Sequence, residues 1–387
     1  MNYQMLLCWN RLDWAFPDEN MKSQFEANQY WKHAIPTGVK VDRNGVMYAA
    51  VPRWAEGIPA TLNRVIKKDG NAILGAFPSW EWNQAGKVDF LQSVMGYEID
   101  ECNRMWILDQ GKIAYAPSEP GSQKLVIWDL NSDRLLDCIR IPDEIASYRT
   151  SFLNDIVVDN RNGFAYITDS GNGWPDHPIV GGIIVYNMKT KTFRRVLDQS
   201  FSTQNFPGFE FEIDYRPAHN KLGVDGIALS ADRRTLYYCP LTARNLYAID
   251  TAVLRNFNMP LAKICRYVQA PGSKGTTTDG MCADNQGNVF YTMLEGKGIG
   301  CYNPQCGQFR KILSDDRMIW VDGVAFDQKG SIIFNSNRLN QVFEDPQTQI
   351  DWSFPYNLVV WRAFLGEGRQ SYLYGPPSCC QMRSRLG

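Results

Sequence analysis

The sequence is poor in the features that place many chains at once. It holds only three histidines, His33, His177 and His219. None stands where the repeat described below brings residues together, which argues against histidine-based nucleophilic catalysis. No CxxC pair occurs among the ten cysteines, which argues against a zinc ribbon. No basic block is present and the net charge is −1, so the electrostatic footprint of a nucleic-acid binder is missing. No apolar run reaches the length of a membrane-spanning helix, and no membrane partner is expected. Helical periodicity is scarce. The opening MNYQMLLCWNRLDW lacks the charged and apolar regions of a signal peptide. The N-terminal reading is therefore either a cytoplasmic chain or one whose leader has been removed.

What is present points to strands and turns. Aromatics make up 13% of the residues, with 31 glycines and 20 prolines, a composition suited to many short strands joined by tight turns. Six segments share one pattern: TGVKVDRNGVMYAA from Thr37, MGYEIDECNRMWIL from Met95, NDIVVDNRNGFAYIT from Asn154, DGIALSADRRTLYYC from Asp225, DGMCADNQGNVFYTM from Asp279 and DGVAFDQKGSIIFNS from Asp322. Each has a polar or small start, an apolar strand, an Asp/Asn/Gly/Arg turn and a second apolar strand, which is a hairpin. A third strand follows in every unit, and a fourth in most (AILGAF, DCIRI, FRRVL, AKICRYV, FRKIL). Four strands recurring in this way predict propeller blades. The sixth unit lacks its fourth strand, which Gln4–Trp9 can supply, closing the ring and removing the free sheet edges. The expectation is all-β: one six-bladed β-propeller over residues 1–375, with a tail at 376–387.

In such a blade the turn between the first two strands lies on one face and the long connections lie on the other. That second face is the expected working face. The inner strands would start there with Thr37, Met95, Asn154, Asp225, Asp279 and Asp322, bringing three carboxyls and an amide into one throat. Like charges held that close cannot all stay ionised, and a cation, an amine or a shared proton resolves the conflict. The competing reading makes each Asp a local cap on backbone N–H groups. Asp225, Asp279 and Asp322 are the candidate catalytic acids. Asn154, Glu98, Arg53, Trp54, Asp169, Thr278, Asn335, Asn337 and Phe209 are the candidate ligand contacts, with Trp174, Phe206 and Phe211 in the loops above. An aromatic rim over a polar throat suits a flat aromatic amine or indole. Cys301 and Cys306 are close enough in sequence to pair, although buried free thiols are the alternative.

VPRWAEGIPATLNRV (Val51–Val65), GYEIDECNRMWILDQG (Gly96–Gly111), KLVIWDL (Lys124–Leu130), LNDIVVDNRNGFAYITDSG (Leu153–Gly171), GIALSADRRTLYYCPLTARNLYAIDTAVLR (Gly226–Arg255) and the opening WNRLDWAFP (Trp9–Pro17) resemble the yellow/major royal jelly protein family. The matches run along nearly the whole chain in the family's order, and the second half is closer to microbial-type members. The resemblance implies a secreted six-bladed propeller; a monomer is expected. It implies either a dopachrome-type isomerase acting on an indole quinone or a non-catalytic binder of biogenic amines. The family pairs the cysteine of its E-C-x-R motif with one ahead of the next strand; Cys102 is present, but Ser118–Lys124 holds no cysteine. TTDGMCADNQGNVFYT (Thr277–Thr292) is also similar to the gluconolactonase/regucalcin propellers, which implies a metal-dependent lactonase as a third reading. A divalent cation such as calcium would then sit on Asn154, Asp225 and Asp279, although Thr37 stands where those proteins carry a glutamate. On the first two readings no cofactor is expected.

Overall fold

The computed structural model describes residues 2–69, 71–171, 178–218, 221–343 and 350–373. Its strands form six four-stranded antiparallel sheets and one small hairpin, Phe211–Ile213 with Arg216–Ala218. From the inside out, the first blade is Gly38–Val41, Met47–Ala50, Leu62–Lys68 and Asn71–Ala76. The next four inner strands are Val94–Ile99, Leu153–Asp159, Val224–Leu229 and Met281–Ala283. The sixth blade is Trp320–Phe326, Ser331–Asn337, Leu358–Phe364 and, from the other end of the chain, Tyr3–Trp9. Tyr3–Trp9 pairs antiparallel with Leu358–Phe364, so the ring closes as the repeat requires. No helix among the described residues is long and apolar enough to cross a membrane.

The inner hairpins turn as they do because of one recurring device. Asp42 Oδ1 accepts from the N–H groups of Asn44 and Val46, at 2.9 and 2.8 Å. Asp100, Asp284 and Asp327 do the same for the residues two and four further on. The residue three after each Asp takes the left-handed conformation, which costs a glycine or asparagine least; these are Gly45, Asn103, Gly287 and Gly330. Blade four has Ser230 in place of the Asp, and Arg233 takes the left-handed position at φ 65°.

Two local expectations need correction. AKICRYV is not a strand. Leu261–Ile264 and Cys265–Tyr267 are short helical turns after Pro260, and only Ile264 in that segment is fully buried. The fourth strand of blade four is Gln269–Ser273, an outer edge where the N–H missing from Pro271 breaks no ladder. Cys301 and Cys306 are both free thiols, whereas Cys102 is disulfide-bonded although Ser118–Lys124 offers it no partner.

The core lies between neighbouring blades. One apolar layer also covers the long-loop side of blades four, five, six and one, with Ile35, Ile58, Phe211, Ile213, Leu241, Leu294, Trp320, Leu339 and Ile350 in a single cluster. On the opposite side the chain from Arg369 to Leu373 crosses the ring. Tyr372 N–H donates to Ala283 O at 3.0 Å in blade five, and its hydroxyl accepts from Val158 N–H at 3.1 Å in blade three. The guanidinium of Arg233 lies 4.3 Å from the centre of the Tyr372 ring, and Arg369 pairs with Asp284.

Candidate functional site: an acid-lined axial hollow

The six expected inner-strand residues do encircle one space. Thr37, Met95, Asn154, Asp225, Asp279 and Asp322 all line a hollow of about 40 Å³. Its lower wall is formed by Gly38, Lys40, Gly96, Asp155, Gly280 and Gly323. A second hollow of about 20 Å³ follows along the axis, lined by Lys40, Glu98, Cys282 and Tyr372 among others. Lys40 Nζ is 3.2 Å from Glu98 Oε2.

Four inner strands reach the axis through a β-bulge. The pairing register shifts between Val94 and Tyr97, Leu153 and Ile156, Val224 and Ile227, and Val321 and Val324. A bulge breaks the strict alternation of faces, so two successive residues can point the same way. That is how Asn154 and Asp155 come to line the same hollow.

Each ring carboxyl is held by a donor. Asn154 Nδ2 donates to Asp225 Oδ2 at 2.8 Å and to Ser170 Oγ at 3.0 Å, and Ser170 Oγ donates to Val224 O. Trp320 Nε1 donates to Asp279 Oδ2 at 2.6 Å. Asn337 Nδ2 donates to Asp322 Oδ2 at 2.8 Å and to Pro36 O at 2.9 Å. Asp225 and Asp279 lie close enough round the hollow that each bears on the other's proton. Burial, and then the charge of Asp279, pushes Asp225 and Asp322 well above the usual carboxylate range. Burial pushes Asp279 up to about 7 against the pull of the Trp320 hydrogen bond. Asp155 rises to about 6, again through burial, with Lys40 and the Ile156 N–H opposing. The hydroxyl of Thr37, a residue only 5% exposed, has no hydrogen-bond partner in this hollow.

The expected rim is placed differently. Arg53 is buried and spends its guanidinium on the carbonyls of Ile58, Leu91, Gln92, Pro59 and Asn83, with burial lowering it to about 10. It pins loops together and does not face the hollow. Asp169 is buried in an ion pair with Arg195 at 2.6 Å and accepts from the N–H groups of Phe152 and Gly171. Trp54 and Phe209 pack on the apolar layer, and Arg244 lies over the Phe209 ring at 4.9 Å. Glu98 lines the lower hollow, not the upper one. Thr278, one residue before the ring, is fully buried with an unpartnered hydroxyl. Asn335 supports the ring from behind, its amide donating to Pro36 O and its oxygen accepting from Gly323 N–H. Phe206 is exposed and Phe211 is buried in the hairpin. Trp174, His177 and His219 lie outside the described residues, and His33 is not among the residues lining either hollow.

Sequence reasoning missed Lys40, Asp155, Ser170 and Trp320. Trp320 carried a signal, since it lies two residues ahead of Asp322 at the start of the same strand. Among the described residues no group of three acidic, histidine or cysteine side chains that could hold a metal ion is found, and each ring acid has one oxygen on an N–H donor.

Comparison with known proteins agrees with this architecture. Residues 92–359 match the family described as Major royal jelly protein. Protein yellow of Drosophila melanogaster is 26% identical over 361 residues, covering 86% of this chain. Major royal jelly protein 9 of Apis mellifera is 27% identical over 312 residues, covering 78% of this chain and 70% of its own length. The chain spans 61–70% of the length of the yellow proteins it matches, 64% for that of Drosophila melanogaster. Among solved structures, a luciferin-regenerating enzyme superimposes with a TM-score of 0.52 at 14% identity, over 87% of this chain and 93% of that one. A gluconolactonase from Xanthomonas campestris gives 0.50 at 13% identity, over 87% and 86%. At such identities these two likenesses speak for the propeller alone. With the family's pattern running from the second blade into the sixth, this six-bladed propeller belongs to the major royal jelly protein family.

Proposed function

We propose that this propeller binds a small aromatic amine, with the ammonium group seated among the axial acids. One observation carries the reading: Asp225, Asp279 and Asp322 are buried round a single hollow. A cation there relieves the conflict between neighbouring carboxyls and gives the Thr37 hydroxyl a donor. The hollow sets the orientation. At about 40 Å³, against roughly 10–15 Å³ for one water, it takes an ammonium head and no ring. The aromatic body therefore lies above, against the loops. Secretion and a monomeric state belong to the same reading, and secretion rests on the family resemblance.

A second reading, a dopachrome-type tautomerase, is favoured by the Asp225–Asp279 pair. A carboxyl near 7 beside a protonated neighbour can take a proton from one carbon of an indole quinone and return it elsewhere, with no net change. Calorimetric titration with tyramine and serotonin, alongside dopachrome decay, tests both. Amine binding weakened tenfold or more in Asp279→Asn supports the first reading. Dopachrome turnover lost in that variant supports the second. Wild-type protein that neither binds amines nor consumes dopachrome overturns both.

A further inference from the structure

We propose that Asp155 is the residue by which the axial site selects a cationic ligand, its carboxylate meeting the ammonium directly while the three ring acids surround it. This deepens the amine-binding reading and rests on it.

The first support is placement. One residue below the ring, five of the six inner strands carry glycine: Gly38, Gly96, Gly226, Gly280 and Gly323. Most of these have no room for a side chain. A Cβ at Gly226 would stand 2.5 Å from Asp279 O, and one at Gly280 2.6 Å from Asp322 O. The third strand alone carries a side chain at this level, and its bulge lets Asp155 line the hollow beside Asn154. The bare backbone of the other strands leaves the space that Asp155 occupies.

The second support is availability. Asp225, Asp279 and Asp322 are 2–6% exposed, and each has one oxygen held by an amide or indole donor. Asp155 retains more accessible surface. Its Oδ1 accepts only from the neighbouring Ile156 N–H, at 2.8 Å, and its Oδ2 has no hydrogen-bond donor among the described residues.

The third support is charge. Lys40, the cation below, is engaged by Glu98 at 3.2 Å. Lys40, Glu98 and Asp155 together carry one surplus negative charge when ionised, open towards the hollow. The unpartnered Thr37 hydroxyl in the same wall supplies a second oxygen for an ammonium N–H.

The test compares tyramine with 4-ethylphenol, the same molecule without its amino group, by calorimetry on the full chain. The wild type should prefer tyramine at least tenfold. Asp155→Asn should reduce that preference to within about twofold and leave 4-ethylphenol affinity unchanged. Asp155→Gly, which gives the third strand the residue of the other five, should do the same and guards against misfolding of the first variant. Tyramine preference retained in both variants but lost in Asp279→Asn overturns the inference and leaves the amine site standing. A wild type with no preference for tyramine overturns the site and the inference together.

Discussion

The indole Nε1 of Trp320 donates to Asp279 Oδ2 across 2.6 Å, tying the apolar layer of the loop face to the acid ring. This bond holds Asp279 below the value that burial alone would impose. Trp320→Phe keeps the packing and removes the donor. The carboxyl should then rise above about 7, having lost one charge-assisted hydrogen bond. Amine binding needs ionised partners, so wild-type affinity should climb as pH rises through about 6 and about 7, where Asp155 and Asp279 lose their protons. In Trp320→Phe that climb should move to higher pH, read from a calorimetric pH series.

Stability should show the opposite trend. Asp225, Asp279 and Asp322 all bind protons more tightly folded than unfolded. Between the unfolded value near 4 and the folded values, the native state holds more protons, so it loses stability as pH rises. The urea midpoint should therefore fall from pH 5 to pH 7. Asp279→Asn should flatten part of that slope. A midpoint that rises steadily over this range would contradict the protonated ring.

Gly226→Ala tests the close approach of the inner strands. The new Cβ would meet Asp279 O at 2.5 Å and Met281 Cγ at 2.8 Å, and the first of these is backbone. Overpacking of this kind costs about 1–3 kcal/mol. Urea unfolding should show that loss, and weakened amine binding should accompany it, because the shift falls on the ring.

Arg53→Met separates support from ligand contact. Its guanidinium serves five backbone carbonyls between the first and second blades. Leaving several buried acceptors unpaired should cost at least about 3 kcal/mol in urea unfolding. Tyramine affinity of the folded protein should be unchanged. A selective loss of affinity would return Arg53 to the site.

The blades were legible because their signals are local. Asp-x-x-Gly turns and apolar pairs of strands announce hairpins without reference to distant residues, and the polar strand starts follow from closing the ring. Asp155 was hidden by the same logic. Strict alternation turns the neighbour of Asn154 away from the axis, and only the bulge between Leu153 and Ile156 turns it back. Arg53 was misread for a different reason. A long cation near a loop looks available for ligands until the loop folds back and offers it carbonyls, and no spacing along the chain records that. In AKICRYV the apolar residues suit an edge strand or a one-turn helix equally well, and Pro260 at the helix start decides for the helix.

The crossing at Tyr372 narrows what could have been an open tunnel. Its phenol is bonded to blade three and its amide to blade five, so that stretch of chain lies across the far side of the axis. On the amine-binding reading, a guest that enters from the loop face should leave by the same face, and its residence time should then follow the loops there.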